Sequence, residues 1–253
     1  MIHKKSVNYK KYNTLLPDFT PLPVELDWYP RDTQKNFESQ SKEFQDDWNK
    51  REKITYKINE YGFRTGEFPE NKLRDSITFI GCSNTFGIGL QKHLTWPFLV
   101  AKEMNLEEIN LAIPGGSLDS AFRVYNEWQR VHRSKYTCLL IPPGKRLELI
   151  KDKKWRNVGH WSENQDDLKS EFLLDLLDDD LQEVNHERNI AAISHVANIT
   201  DSKLIVIDQR KLRPNNNLWP LMKGPAVDAR DNMHYGAEFH SILAKIFMYE
   251  INN

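Results

Sequence analysis

The sequence predicts an α/β protein: a three-layer α/β/α sandwich around a central, mainly parallel sheet of about five strands, preceded by an N-terminal arm. Three observations carry this expectation. From about Ser76 onward, short β-rich apolar runs alternate with stretches of helical periodicity, the pattern of βαβ units whose crossovers are right-handed and whose sheet is covered on both faces. Three of those runs stop at glycine or proline: at Gly81, at Pro114-Gly115-Gly116 and at Pro142-Pro143-Gly144. The 253 residues, 39% hydrophobic and 11% aromatic, suffice for a substantial buried core.

Residues 1–71 read as the arm. They hold Pro17, Pro21, Pro23 and Pro30, many charged residues, and aromatics without clean periodicity. A helix is expected around Asp32–Arg51. In Lys53–Phe63, Ile54, Tyr56 and Ile58 alternate as in a half-buried strand, and Asn59-Glu60-Tyr61-Gly62 reads as a turn. Residues 72–253 form the main domain. Ile77–Ile80 is its first strand. Leu94–Asn105 follows as a helix, with Pro97 in the first turn where a missing N–H costs little. Ile109–Ile113 is the second strand. Ser117 suits an N-cap and Asp119 the first turn of a helix with Ala121, Val124, Tyr125, Trp128 and Val131 on one face. Tyr136–Ile141 and Lys203–Asp208 are the third and fourth strands. Asp167–Leu181 and Asn189–Ile199 are expected helical, the acids Asp175 and Asp178–Asp180 forming a solvated helix face and end. In the last helix Phe239, Ile242, Leu243, Ile246 and Phe247 follow i, i+3, i+4, i+7, i+8.

Composition narrows the function classes. Thirty-five basic residues against 36 acidic ones give no electrostatic case for nucleic-acid binding. Two cysteines exclude a disulfide scaffold and a four-thiolate zinc site, and the histidines lack paired zinc spacing, so neither metal nor cofactor is expected. The N-terminal stretch has no apolar core of a secretory leader, and no apolar run approaches the ~18 residues of a membrane span. A cytoplasmic setting is expected.

On parallel sheets ligands bind beyond the carboxyl ends of the strands. Gly81-Cys82-Ser83-Asn84-Thr85-Phe86-Gly87-Ile88-Gly89 follows the first strand, Pro114-Gly115-Gly116-Ser117 follows the second, and Asp231-Asn232-Met233-His234 precedes the last helix. A hydroxyl at a tight strand end, a glycine turn with backbone N–H groups, and an Asp–His pair are the components of acyl transfer. Serine is a poor nucleophile unless an imidazole takes its proton, and the imidazole needs a carboxylate to hold its tautomer and stabilise its charge. Gly87-Ile88-Gly89 departs from nucleotide-binding spacing. Cys82 and Cys138 read as buried structural thiols, and His240 as an ordinary surface residue. Trp155 and Trp161 flank a polar stretch with Arg156 and His160, where packing is the default role and stacking on a sugar the alternative.

These blocks together resemble the SGNH (GDSL-type) hydrolases. Ile77–Gly89 is similar to the family's Gly-Asp-Ser-x-Thr block, Asn110–Ser117 to its second block, and Asp231-x-x-His234 to its last, over roughly Lys72 to Asn253. The resemblance implies a flavodoxin-like sandwich and a serine esterase, with an acetylated carbohydrate among the expected substrates. It also implies that Ser83 is the nucleophile, His234 the general base and Asp231 its orienting carboxylate. The backbone N–H groups of Ser83 and Gly115 would face the oxyanion. Two positions depart from the pattern. Cys82 stands where the family has Asp, and Pro142-Pro143-Gly144-Lys145-Arg146 replaces the block that supplies an oxyanion-hole Asn. Loss of one such donor typically costs about 10²–10³ in turnover. Arg146 either substitutes electrostatically or pairs with Glu148 or an arm carboxylate, and Asn84 is a further candidate for substrate or charge contact. The departures and the arm also suit an alternative, a catalytically impaired structural or binding module such as a phage virion or assembly protein with a partner on the arm. The compartment would then be the virion.

Overall fold

A computed structural model of the chain describes residues 20–68, 75–151, 154–159, 178–208 and 228–253. The N-terminal part holds strand β1 (Val24–Leu26), helices α1 (Gln34–Glu38) and α2 (Lys42–Asn49), and strand β2 (Tyr56–Ile58), which pairs antiparallel with β1. Where one helix is expected around Asp32–Arg51 there are two, because Ser39-Gln40-Ser41 interrupts the run. Ser41 caps α2 by accepting the Phe44 N–H, as Thr33 caps α1 by accepting that of Asn36. The Asn59–Gly62 turn closes with Asn59 N–H on Phe63 O and Gly62 N–H on Asn59 O.

The main sheet comprises β3 (Ser76–Ile80), β4 (Glu107–Asn110), β5 (Tyr136–Ile141) and β8 (Lys203–Asp208), all parallel, in the order β4-β3-β5-β8. Among the described residues it has four strands rather than about five. Beyond Asn110 the β4 chain still donates to its neighbour, from Leu111 N–H to Phe79 O and from Ile113 N–H to Gly81 O. Short helix α3 (Ser83–Phe86) and α4 (Trp96–Glu103) link β3 to β4, α5 (Leu118–His132) links β4 to β5, α6 (Asp179–Ile199) precedes β8, and α7 (Ala237–Asn252) ends the chain. Part of the expected 167–181 helix lies outside the described residues. Its end is the first turn of α6, which Asp178 caps by accepting the Asp180 and Leu181 N–H groups.

Strand alternation sorts the core into two layers. Ile77, Phe79, Cys138, Leu140, Ile205 and Ile207 face α4 and α7, where Trp96, Val100, Phe239, Leu243 and Phe247 meet them. Ile80, Ile109, Leu139 and Ile141 face the other way, against Leu118, Val124, Tyr125 and Trp128 of α5 and Ile193 and Val196 of α6. The protein is therefore an α/β/α sandwich with a parallel sheet. Val131, expected on the buried face of α5, is 57% exposed. At 100° per residue it sits about 70° from the centre of the stripe formed by residues 121, 124, 125 and 128. No helix among the described residues is long and apolar enough to cross a membrane.

A third cluster joins the N-terminal part to the loop after β3. Tyr29, Phe37, Trp48, Ile54, Tyr56 and Ile58 pack with Phe86, Ile88, Leu90 and Ala112. The segment after β5 is an antiparallel hairpin of β6 (Arg146–Lys151) and β7 (Lys154–Gly159). Arg156 of the polar stretch and the flanking Trp155 thus lie on a strand. Trp155 packs under the Arg123 guanidinium, 4.4 Å from its ring centroid, consistent with the packing role. His160 and Trp161 lie outside the described residues.

Candidate active site

Ser83 opens α3 at the carboxyl end of β3, and its tight turn is built from local chemistry. Gly81 has φ 155°, and a Cβ there would stand 2.3 Å from Thr85 Oγ1 and 2.9 Å from Leu140 O, so only glycine fits. The Thr85 and Phe86 N–H groups close on Cys82 O, and Gly87 N–H on Ser83 O. Asn110 ties this turn to the neighbouring strand, donating from Nδ2 to Thr85 O at 2.9 Å and accepting Ala112 N–H at 3.1 Å. Ser83 is 9% exposed. Its Oγ lies 4.0 Å from Cys82 Sγ and forms no hydrogen bond to His234 among the described residues. Cys82 is buried beside it. Cys138 is buried mid-sheet, where burial pushes its thiol pKa up.

Asp231 and His234 come together as a pair. His234 Nδ1 lies 2.5 Å from Asp231 Oδ2, while Asp231 Oδ1 accepts the backbone N–H of Met233 and His234 at 3.2 and 3.1 Å. Burial pushes the Asp231 carboxyl up, but His234 and these N–H donors outweigh it and hold its pKa below the usual value. The Asp231 segment docks on the Ser83 loop, with Arg230 N–H donating to Gly89 O at 3.0 Å. Gly89 (φ 73°) permits that approach, since a Cβ would come within 2.8 Å of Ala229 Cβ and 3.2 Å of Asp231 Oδ1.

Gly115 lies in the turn after β4, closed by Gly116 N–H on Ile113 O at 2.8 Å. Arg146 is buried next to this turn, and its Nη1 donates to Gly116 O at 3.3 Å. Glu148, one partner expected for Arg146, is instead gripped bidentately by Arg123, both bonds 2.7 Å. Asn84 is buried. Its backbone carbonyl accepts the Trp96 indole N–H at 3.2 Å, and its Oδ1 has no hydrogen-bond partner. Among the described residues no group of three or more His, Cys, Asp or Glu is arranged to hold a metal ion.

Two residues that support the site are not evident from sequence. Arg64, in the N-terminal part, is buried and threads its guanidinium into the loop after Ser83, donating to Gly87 O at 2.5 Å and Leu90 O at 2.7 Å. His240, read as a surface residue, is 1% exposed. Its Nδ1 accepts the Trp96 N–H at 3.0 Å and so caps α4, whose own N-cap Thr95 makes no side-chain capping bond because its hydroxyl donates to Lys92 O at 2.8 Å. Helical phase on α7 places His240 beside Phe239 toward the core; the sequence signal would have been Thr95-Trp96-Pro97, a helix start needing an acceptor.

Burial first, then the neighbouring His234 and Arg64, lower the His240 pKa from 6.5 to about 3. The folded state therefore holds it neutral while the unfolded chain takes up a proton. Its contribution to stability is full above about pH 6.5 and is lost as pH falls toward about 3. This one group should cost about 2 kcal/mol of unfolding free energy between pH 7 and pH 5. Urea titrations at the two pH values should show that loss, and His240→Asn, which keeps an acceptor for Trp96 N–H but does not titrate, should remove it.

No protein-family model matches the chain, and no curated protein matches it. Solved structures do align with it. TesA is 11% identical at a TM-score of 0.45, over 69% of this chain and 96% of that one. A catalytic mutant of Axe2, an acetylxylan esterase from Geobacillus stearothermophilus, is 14% identical at 0.38, over 73% and 97%. A family 3 carbohydrate esterase from Clostridium thermocellum is 12% identical at 0.34, over 69% and 93%. At these scores the functional reading rests on the chain's own residues.

Proposed function

We propose that the chain is an SGNH-type serine esterase, with residues 72–253 as the catalytic unit and residues 1–71 as a supporting arm. The observation that supports this most is the pair formed by partly exposed His234 and buried Asp231, docked through Arg230 onto the loop that follows Ser83. In the proposed reaction Ser83 Oγ attacks the ester carbonyl while His234 Nε2 takes its proton. Asp231 holds the Nδ1–H side and stabilises the imidazolium. The N–H groups of Ser83 and Gly115 face the developing oxyanion. Collapse of the tetrahedral intermediate returns the proton to the leaving alcohol and leaves an acyl-serine, which water, deprotonated by His234, then hydrolyses. Hydrogen bonds between nucleophile and base are often long before substrate binds, which suits the absence of a Ser83–His234 bond.

Arg146, beside the Gly116 carbonyl, supplies positive charge near the glycine turn where the family's Asn is missing. We place an O-acetylated carbohydrate first among substrates, in keeping with the balanced charge of the chain. A fluorophosphonate probe should label Ser83, as read by peptide mass spectrometry, and the labelling should fall sharply in His234→Ala. An unlabelled, folded wild type that also releases no acetate from aryl or xylan acetates sinks the esterase reading and leaves the non-catalytic module in its place.

A further inference from the structure

We infer that Asp32, supplied by the N-terminal part, is a positioning residue for the Asp231–His234 pair, acting through a closed ring of hydrogen bonds that includes Arg230, Tyr56 and Gly89. The inference rests on the esterase reading above for its kinetic consequence, though not for its geometry. Asp32 is fully buried (0% exposed). Its Oδ1 accepts Arg230 Nε at 2.9 Å, and its Oδ2 accepts Arg230 Nη2 at 2.6 Å and the Tyr56 hydroxyl at 2.5 Å. The Tyr56 oxygen in turn accepts Gly89 N–H at 2.8 Å, and Gly89 O accepts Arg230 N–H at 3.0 Å.

The ring therefore returns to its start after passing through three distant segments: the N-terminal part, the loop after Ser83 and the loop before His234. Arg230 also donates to Asp27 O at 2.6 Å and lies 3.9 Å from the centroid of the Trp28 ring. A planar guanidinium held by two carboxylate oxygens and an aromatic face has one orientation. Arg230 is bonded covalently to Asp231, so fixing Arg230 fixes the entry of the chain into the Asp–His turn. Tyr56 meanwhile fixes Gly89, against which Asp231 Oδ1 is seated at 3.2 Å from the glycine's absent Cβ. Asp32 is the side chain that joins the Arg230 guanidinium to the Tyr56 hydroxyl. Its charge is satisfied entirely within the ring and is not aimed at substrate, so its expected effect is on the placement of the reacting groups rather than on affinity.

The test uses the full chain, 4-nitrophenyl acetate and two near-isosteric variants. Asp32→Asn removes the charge that orients Arg230, whereas Tyr56→Phe removes the hydroxyl that donates to Asp32 and accepts Gly89 N–H and leaves the Asp32–Arg230 pair in place. With folding verified by circular dichroism and melting, Asp32→Asn should lower kcat about 10²-fold, the scale of a displacement of about 1 Å at a reacting group, with KM changed less than about two-fold. Tyr56→Phe should lower kcat less, and the double variant should fall no further than Asp32→Asn, because coupled residues are non-additive. A folded Asp32→Asn with wild-type kcat, or losses that multiply in the double variant, overturns the inference. Proton NMR separates this from failure of the esterase reading. The low-field resonance of the His234 Nδ1–H bond to Asp231 should shift or broaden in both variants, whether or not the wild type turns over. If it does so in an inert protein, the positioning role stands and the esterase reading falls. An unchanged resonance in folded Tyr56→Phe and Asp32→Asn overturns the positioning role. Should Asp32→Asn not fold, Tyr56→Phe carries the same two readouts.

Discussion

Ser83→Ala should lower the turnover of small acyl esters by about 10⁴–10⁶-fold while leaving the fold intact, measured as single-turnover acetate release and by melting temperature. The size follows from the proposed chemistry. Without Oγ no acyl-serine forms, and what remains is whatever the glycine turns and binding alone contribute, about 10³–10⁴ over water in comparable sites. The fold should survive because Ser83 Oγ makes only a 4.0 Å contact with Cys82 Sγ, and the turn is held by backbone bonds and by Asn110. Retention of wild-type turnover in Ser83→Ala would move the reaction elsewhere. Cys82 then becomes the residue to substitute next.

Arg64→Ala should be strongly destabilising, its effect appearing in stability rather than in chemistry. The side chain is buried and donates to the carbonyls of Phe86, Gly87 and Leu90, with its guanidinium 4.5 Å from the Tyr56 ring centroid. Truncation strands three buried acceptors, each worth about 1–3 kcal/mol, and opens a cavity. Releasing a charge whose burial already lowers its pKa offsets part of this. The net loss should be about 3 kcal/mol, a fall of about 6–12 °C in melting temperature for a chain of this size. Arg64→Lys should rescue little, because an ammonium cannot reach carbonyls on both sides of the loop as a planar fork does. Urea unfolding of both variants checks this; an Arg64→Lys protein as stable as wild type would show that charge, not fork geometry, is what the loop needs.

Much of the main domain was legible from the chain because its signals are local. The runs Ile77–Ile80, Tyr136–Ile141 and Lys203–Asp208 all lie in strands, since β-rich residues between turn formers have few other uses. Ser117 caps α5 as expected, in a reciprocal pairing with Ser120. The Asp231-x-x-His234 spacing does bring the two side chains together, because a turn of that length lets one carboxylate accept N–H groups two and three residues on while reaching the imidazole.

The misreadings share a different cause. His240 looked exposed because its partner, Trp96 N–H, is 144 residues away. Of the roles left open for Arg146, pairing with Glu148 is the one the fold removes, because strand β6 places Glu148 against Arg123 of α5. The arm helix broke in two because its serines satisfy the backbone locally as caps.

By itself, then, the sequence determined the α/β class, the parallel strands of the main sheet with helices α4, α5 and α7 beside them, and the three short blocks that follow its strands and precede its last helix. Periodicity, turn residues and caps act over a few residues, so they are written in the chain. Only the tertiary structure decided that Asp32, Tyr56 and Arg64, from the N-terminal part of the chain, pack against the carboxyl edge of the sheet. Buried charges are stable only where partners converge on them, and which partners those are depends on how the chain closes.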